Sequence, residues 1–217
     1  MKDYKRKFIK FCIENEVLLF GEFTLKSKRI SPYFFNAGKF SNGIAYLNLA
    51  NFYSEAIIQN FTANEYDILF GPAYKGISLS TAASIGLAQK GYNIELCFNR
   101  KEAKDHGEGG TLIGSSLANK KAILIDDVIT AGTTIRDSFD IAKKEGGKIS
   151  GAVIALDRQE MGLTSKLSAI QEVYKEFQIK IISIISLDDI INYLKNNNKL
   201  SSHIPAMLKY KEQYGIN

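Results

Sequence analysis

Cysteine is scarce in this chain: its 217 residues include only Cys12 and Cys97, with no C-x-x-C pair. Disulfide frameworks and structural zinc sites need several cysteines at short, recurring spacings. Neither kind of site is indicated, and two reduced thiols in a cytoplasmic protein are expected.

Long apolar runs and the common nucleotide-binding loops are also missing. No apolar run approaches the ~20 residues of a membrane span, and the first sixteen residues lack the apolar centre of a secretory signal. The sequence has no G-x-x-x-x-G-K-[S/T] loop and no G-x-G-x-x-G that opens a helix after a strand. We therefore expect no membrane partner and neither an ATPase nor a dinucleotide-binding protein.

Charge of one sign is in small excess. The 28 Lys and Arg residues exceed the 23 Asp and Glu residues by five, and residues 1–10 alone carry five cations against one Asp. A nucleic-acid-binding protein more often gathers basic residues into a folded stripe with interleaved aromatic residues. No nucleic-acid partner is expected.

The sequence does contain a regular alternation of apolar runs and helical spacing. Buried strands are predicted at 66–70, 94–98, 122–126, 151–157 and 180–187, and helices between them at 77–91, 133–147 and 167–178. This alternation predicts an α/β fold in which a mostly parallel central sheet is flanked by helices on both faces.

The two ends of the chain complete one domain, 1–217. Residues 1–60 predict a small cap, with a helix at 4–15, short strands around 20–25 and 31–38, and a helix near 45–60. The α/β core spans about 61–190, and residues 188–217 predict two closing helices.

The run ILIDDVITAGTTI, residues 123–135, carries the clearest chemical signal. Asp126 and Asp127 end a predicted strand, where open α/β sheets bind their ligands. Gly132 permits close backbone approach, and hydroxyl and N–H groups follow at a helix start, from Thr130, Thr133 and Thr134. This is typical of a phosphate cradle. Because carboxylates repel phosphate, they are expected to face vicinal hydroxyls or a magnesium ion. A phosphorylated sugar would offer a phosphate to the cradle and hydroxyls to the carboxylates. The alternative is a solvated Asp pair before an ordinary Thr cap.

The same run is similar to the phosphoribosyl pyrophosphate (PRPP) signature of type I phosphoribosyltransferases. Four more segments resemble the bacterial orotate phosphoribosyltransferases of that family: GEFTLKSKRISPYFFNAG (21–38), LFGPAYKGI (69–77), CFNRKEAKDHGEGG (97–110) and SLDDI (186–190). The resemblance covers nearly the whole chain. It implies the type I fold with the cap as a hood. It also implies transfer of the 5-phosphoribosyl group from PRPP to orotate, giving orotidine 5'-monophosphate and pyrophosphate in de novo pyrimidine (UMP) biosynthesis, with magnesium.

The turn GPAYKG offers backbone N–H groups and Lys75 to a pyrophosphate. The resemblance implies that Tyr74 and Lys75 contact PRPP and that the Ala73–Tyr74 peptide bond is cis. Other implied PRPP contacts are Lys26, Arg100, Lys101, Lys104, His106, Asp126, Asp127, Val128, Ile129, Thr130, Ala131, Gly132, Thr133 and Thr134. Magnesium is expected to be bound by PRPP, near the two aspartates, and not directly by a set of protein ligands. The alternative for the turn is a surface loop with a solvated lysine.

Residues 99–110, NRKEAKDHGEGG, predict a mobile flap. Arg100, Lys101 and Lys104 are balanced by acidic residues, and three glycines in four positions permit closure. Closure would bring the cations to the pyrophosphate, and His106 could donate a proton or a hydrogen bond. The resemblance implies that the 100–110 loop enters the neighbouring subunit's site, which makes the protein a homodimer. Taken alone, the segment could also be a solvated charged hairpin, with His106 a bystander.

The orotate pocket is implied by the resemblance to consist of Lys26, Phe34, Phe35, Thr130 and Arg158. An aromatic wall with a few polar anchors suits a flat, anionic pyrimidine. On the residues alone, Phe34 and Phe35 are more typical of core packing. Lys28 stands where the family often has glycine, which reduces backbone freedom in the loop that carries Lys26.

The expected mechanism is direct displacement at the sugar, because no Ser or Cys in these motifs has a His–carboxylate partner. Catalytic roles are assigned to Asp126, Asp127, Lys101, Lys104, His106 and Lys26. One alternative is a PRPP-sensing regulator of the same fold, which predicts a degraded flap and an added binding domain. A closer alternative is an enzyme of the same fold that uses another base.

Overall fold

Except for one edge strand, the elements of the α/β core follow one another as the hydrophobic pattern predicts. The computed structural model describes residues 1–104, 110–129 and 132–216, and only the backbone of residues 103, 104 and 110. In chain order the helices and strands are α1 (Asp3–Glu14), β1 (Leu18–Thr24), β2 (Ile30–Phe35), α2 (Gly43–Asn60), β3 (Ile68–Gly71), α3 (Lys75–Gln89), β4 (Glu95–Lys104), β5 (Gly110–Gly114), β6 (Lys121–Val128), α4 (Thr133–Lys144), β7 (Lys148–Asp157), α5 (Ala169–Phe177), β8 (Lys180–Ser186), α6 (Leu187–Lys195) and α7 (Ile204–Tyr214). Among these residues, no helix is long and apolar enough to cross a membrane.

Six strands form the central sheet in the order β5-β4-β3-β6-β7-β8. All neighbours are parallel except β4 and β5, which are antiparallel. The predicted mostly parallel sheet is confirmed. Its continuous apolar runs arise because alternate residues of a strand face opposite sides, and both sides are covered. Leu69, Ile123 and Val153 pack in one core cluster, whereas Phe70 and Leu124 pack in a second cluster on the opposite face.

The edge hairpin β4–β5 corrects the sequence prediction. We expected a strand only to residue 98 and a flap from there to residue 110. The structure instead continues β4 to Lys104 and pairs Asn99 with Leu112 and Lys104 with Gly110. The glycines of β5 give no apolar alternation, so the pattern held no local sign of a strand. Residues 105–109, including His106, lie outside the described residues.

The predicted cap is a two-stranded antiparallel hairpin, β1–β2, in which Leu18 pairs with Phe35 and Thr24 with Ile30. At its tip, Arg29 donates to the carbonyls of Met161 (2.8 Å) and Gly162 (3.2 Å). These bonds tie the hairpin tip to the chain that leaves β7. His203 stacks on Phe20 with ring centroids 5.1 Å apart, which suits a structural residue.

Lys28, at the hairpin tip, has a left-handed backbone with φ +64°. The non-glycine residue therefore adopts the conformation that a glycine favours. We expect Lys28→Gly to stabilise the folded chain by up to about 1 kcal/mol, because a left-handed L-residue costs about 1–2 kcal/mol and glycine entropy offsets part of that. Urea unfolding would measure the change. Ser27→Gly is the matched control and should destabilise, since Ser27 does not have a positive φ; equal losses in both variants would contradict the left-handed tip.

Candidate active site

The carboxyl ends of β3 and β6 meet at one edge of the sheet. These strands are parallel neighbours, with Phe70 opposite Leu124, so the residues that follow them lie side by side. Lys75 Nζ is 2.5 Å from Asp127 Oδ2. This contact joins the two most distinctive sequence motifs in the position where α/β sheets bind ligands.

The two adjacent aspartates differ in their surroundings. Asp127 is buried and paired with Lys75. The Asp126 carboxylate accepts the Asp127 N–H at 2.9 Å, and its main-chain carbonyl accepts the Tyr53 hydroxyl at 2.8 Å. Burial and the neighbouring Asp127 charge raise the pKa of Asp126 from 3.8 to about 7. A magnesium ion or sugar hydroxyls at Asp126 would relieve this unfavourable charge.

The turn after β3 is shaped by close backbone packing. The Ala73–Tyr74 peptide bond is cis, as the resemblance implied, and the Ala73 N–H donates to Asn99 Oδ1 at 2.8 Å. A Cβ atom at Gly76 would lie 2.5 Å from Pro72 Cδ and 2.8 Å from the Ile125 carbonyl. Only glycine therefore lets the turn lie against β6 directly before the aspartates.

The turn also meets β4. Tyr74 is 70% exposed, and Lys101 Nζ lies 4.9 Å from the centroid of its ring. A cation over an aromatic face is a weak but directional attraction. Lys101, Tyr74 and Lys75 are therefore on one side of the sheet edge. Arg100 lies on the same strand and is partly buried, and the Lys104 side chain is not among those described.

The predicted phosphate cradle begins where β6 ends and α4 starts. Val128 closes β6, and Ile129 packs against the second core cluster. Gly132, with φ +72°, is the residue before α4, and Thr133 and Thr134 are exposed in its first turn. N–H groups at a helix start have no partner within the helix and favour anions. Thr130 and Ala131 lie outside the described residues.

Three of the residues predicted to bind orotate lie in the hairpin β1–β2, but their side chains do not share one face. Lys26 is exposed in the β1–β2 turn. Phe34 stacks on Phe23, with centroids 5.5 Å apart, whereas Phe35 packs against the first core cluster. Neighbouring residues of a strand point to opposite faces, so these two rings do not form one wall.

Arg158 follows β7 and is held on several sides. Its Nε donates to Glu160 Oε1 at 2.7 Å, its Nη2 donates to Ser31 Oγ at 3.0 Å, and its guanidinium lies 4.2 Å from the centroid of Tyr33. Sequence reasoning missed Glu160, Tyr33, Asn99 and Tyr53 as neighbours of the site. Only the position of Glu160 in LDRQE, two residues after Arg158, offered a signal.

Comparison with known proteins decides the family. A family model described as "Phosphoribosyl transferase domain" matches residues 40–188. An orotate phosphoribosyltransferase of Yersinia enterocolitica is 50% identical, and one of Pseudoalteromonas translucida is 53% identical, with 100% of each chain covered. The chain belongs to the orotate phosphoribosyltransferase family. It is therefore a pentosyltransferase.

Solved structures agree with the orotate phosphoribosyltransferase assignment. The crystal structure of orotate phosphoribosyltransferase from Francisella tularensis has a TM-score of 0.88 and 42% identity, covering 96% of this chain and 99% of that one. Adenine phosphoribosyltransferase from Saccharomyces cerevisiae has a TM-score of 0.53 and 12% identity, over 82% of this chain and 99% of that one. The second likeness shows a shared fold alone.

The raised pKa of Asp126 predicts opposite pH trends for the stability and activity of this orotate phosphoribosyltransferase. Its folded pKa, about 7, exceeds the ordinary 3.8, so the folded state binds the proton more tightly. The contribution of Asp126 to the unfolding free energy should fall as pH rises between these values. Activity should rise over the upper part of that range, because the ionised carboxylate is the form that binds hydroxyls or magnesium.

Unfolding in urea and kcat/KM for PRPP, each measured from pH 5 to pH 9, would test both trends. Asp126→Asn should remove the pH slope in stability that Asp126 contributes. Asp67→Asn should preserve the slope, because Asp67 accepts the Lys121 N–H at the other end of β6. An unchanged slope in Asp126→Asn would contradict the assignment.

Gly76→Ala is expected to weaken PRPP binding in this orotate phosphoribosyltransferase by tenfold or more and to destabilise the fold by about 1–3 kcal/mol, as overpacking does. The added methyl group would push the Lys75 turn away from Ile125 and the aspartates. Isothermal titration with PRPP and thermal unfolding would measure the two effects. At Gly162 a Cβ atom would meet its neighbours at 3.4 Å or more, so Gly162→Ala should leave PRPP affinity unchanged. Wild-type affinity in Gly76→Ala would show that the turn does not hold PRPP.

Proposed function

We propose that this chain transfers the 5-phosphoribosyl group of PRPP to orotate, giving orotidine 5'-monophosphate and pyrophosphate in de novo pyrimidine (UMP) biosynthesis. The observation that carries the proposal is the contact between Lys75 and Asp127, which unites the turn and the aspartate pair in one site. The two full-length relatives and the Francisella tularensis structure reported above are named as orotate phosphoribosyltransferases. They lend no support to a PRPP-sensing regulator.

PRPP is proposed to lie across the carboxyl ends of β3 and β6. The 5'-phosphate binds at residues 128–134, where α4 starts. This segment offers the free N–H groups of a helix amino terminus, and Gly132 directly before the helix permits close approach. Asp126 and Asp127 hold the ribose hydroxyls. Tyr74 and Lys75 take the pyrophosphate, and Lys26 adds positive charge. Arg100, Lys101, Lys104 and His106 add further positive charge or hydrogen bonds from the 100–110 loop of a second subunit.

Magnesium fits the aspartate pair. Mg²⁺ is commonly bound by one or two carboxylates together with substrate phosphates, and Asp126 is partly buried beside a second carboxylate. When bound with PRPP, magnesium would neutralise developing charge on pyrophosphate. Asp126 and Asp127 would hold the ribose hydroxyls and would not by themselves form a complete magnesium ligand set.

Orotate is proposed to bind between the hairpin and the end of β7, near Lys26, Phe34, Phe35, Thr130 and Arg158. The register of β6 and β7 places Leu156 beside Val128, so Arg158 lies just beyond the edge that carries the aspartates. Its planar guanidinium suits the orotate carboxylate. Because Phe34 and Phe35 face opposite sides, one ring and the main chain of the other would line the pocket.

The reaction is a direct displacement. The ring nitrogen of orotate forms a bond to the anomeric carbon while the bond from that carbon to the pyrophosphate oxygen breaks. Pyrophosphate leaves with the bonding electrons, and the proton of the ring N–H passes to water. Asp126 and Asp127 favour the positive charge that develops on the sugar, and Lys75 with Lys101 favours the negative charge on the leaving group. The bound 5'-phosphate anchors the sugar so that remote binding energy orients the reacting centre.

The active form is proposed to be a homodimer in which the 100–110 loop completes the partner's site. Support comes from an apolar face. Leu47 of α2 and Ile85 of α3, which are 52% and 51% exposed, line a groove of about 440 Å³. Ile44, one helical turn before Leu47, is 75% exposed. Residues 43–54 and 76–89 contain no charged residue, and such helices are normally covered. The same face in a second copy is self-complementary, and α3 begins at Lys75, so the partner would adjoin the site.

Loss of orotate absorbance on adding PRPP, magnesium and enzyme would test the reaction, with uracil and hypoxanthine as competing bases. We expect magnesium-dependent conversion of orotate alone. Conversion of another base in preference to orotate would favour a different enzyme of this fold. PRPP binding without conversion of any base would favour the regulator.

A further inference from the structure

Arg158 belongs to a buried network that links three parts of the chain. Its side chain and that of Glu160 are 13% and 14% exposed. Glu160 Oε1 accepts from Arg158 Nε (2.7 Å) and from the Tyr210 hydroxyl of α7 (2.9 Å), and Glu160 Oε2 lies 3.7 Å from Arg29 Nη1. One carboxylate thus contacts two guanidinium groups and a helix hydroxyl.

The other faces of Arg158 are constrained by the hairpin strand β2. Ser31 Oγ accepts from Arg158 Nη2 and donates to the Tyr33 carbonyl at 2.7 Å. The Tyr33 ring covers the guanidinium plane and meets the Tyr210 ring edge-on, at 87° and 6.2 Å. A guanidinium held through Nε, through Nη2 and across its plane has little rotational freedom.

The network leaves Arg158 able to bind a ligand. A guanidinium has five N–H groups. The bonds to Glu160 and Ser31 use two of them, and the Tyr210 hydroxyl also interacts with the guanidinium, so N–H groups remain for a ligand. A side chain fixed in this way loses less entropy when it binds a carboxylate. Glu160 gains its own fixed position from Tyr210, whose helix is also pinned by the bond from the Met161 N–H to the Tyr214 carbonyl at 2.8 Å.

We infer that Glu160 is a positioning residue for orotate recognition: with Tyr210 it orients Arg158 so that the remaining N–H groups of the guanidinium meet the orotate carboxylate. This inference rests on the proposed contact between Arg158 and orotate. It gives α7 a part in base binding although α7 contributes no residue to the predicted pocket. The part of the substrate that Arg158 would recognise is the carboxylate of the pyrimidine.

Glu160→Gln preserves the size of the side chain but removes the charge that fixes Arg158. We expect KM for orotate to rise about tenfold or more, as for lost charged hydrogen bonds, with KM for PRPP unchanged. Tyr210→Phe removes one hydroxyl and should raise KM for orotate in the same direction by a smaller factor, roughly two- to fivefold. Asp188→Asn is the control, because Asp188 pairs with Lys211 of α7 at 2.5 Å but does not contact Arg158; neither KM should change.

Arg158→Ala separates failure of the inference from failure of the proposed function. If Arg158→Ala leaves KM for orotate unchanged, the proposed contact itself is wrong. If Arg158→Ala raises KM for orotate but Glu160→Gln and Tyr210→Phe do not, the contact stands and the positioning role is overturned. Equal changes in both KM values and in the melting temperature would assign Glu160 a general structural role and would also overturn the inference. Tyr210→Phe decides the matter should Glu160→Gln fail to fold.

Discussion

Asp126→Asn and Asp127→Asn are each expected to lower kcat/KM by about a hundredfold to a thousandfold, the usual effect of removing a group that stabilises transition-state charge. Asparagine matches aspartate in shape, and in Asp126→Asn the amide oxygen could still accept the Asp127 N–H. In Asp126→Asn the only loss is therefore the negative charge that is proposed to favour the developing positive sugar. Steady-state kinetics with saturating orotate and varied PRPP would measure the change.

The two variants should differ in stability. The Asp126 carboxyl has its pKa raised by burial and by Asp127, so a neutral amide there should raise the melting temperature. Asp127→Asn should instead lower it slightly and raise KM for PRPP, because Lys75 loses its ion pair. A more stable but inactive Asp126→Asn enzyme would separate a catalytic role from a structural one.

Asp67→Asn is the control for both variants. Asp67 accepts the Lys121 N–H at 2.8 Å, at the amino end of β6 and the opposite end of the sheet. The substitution makes the same chemical change away from the site, so activity should be retained. Turnover at the wild-type rate in the Asp126→Asn, Asp127→Asn double variant would refute the proposed mechanism.

The fold was predictable wherever burial gave the sequence a period. The run at 122–125 is buried on both faces of β6, and its neighbours in the sheet have the same apolar character. β5 was missed because its glycine-rich sequence becomes a strand only through pairing with β4, on the other side of the 105–109 segment. Local patterns do not report such pairing.

The candidate site was predictable in its motifs but not in its contacts. Asp126 and Asp127 could be recognised because a strand end, a carboxylate pair and a glycine-marked helix start occur within one short run. Glu160 and Tyr210 are 50 residues apart and meet only when α7 packs on the hairpin. The opposite facing of Phe34 and Phe35 follows from strand geometry, and it could have been inferred once 31–38 was predicted as a strand.

Leu47→Asp together with Ile85→Asp is expected to convert the enzyme to a monomer and to remove most of its activity. Two charges would enter the apolar groove of α2 and α3, which in the proposed symmetric dimer meets the same face of the second copy. Sedimentation velocity would measure the assembly, and orotate conversion the activity. Leu163→Asp is the matched control, because Leu163 is 74% exposed but lies after β7, away from this face. A variant that stays dimeric would exclude α2 and α3 as the interface.

Mixing two inactive variants tests whether the subunits share their sites. Asp126→Asn damages the site in its own subunit, whereas Lys101→Ala would damage the site that the 100–110 loop enters in the partner. After subunit exchange, about half of the dimers are hybrids, and one of the two sites in each hybrid has both side chains intact; about a quarter of wild-type activity should return. If the loop instead serves its own subunit, every hybrid site carries one defect. No recovery in dimers shown to be mixed would therefore place Lys101 and Asp126 of each site in the same subunit.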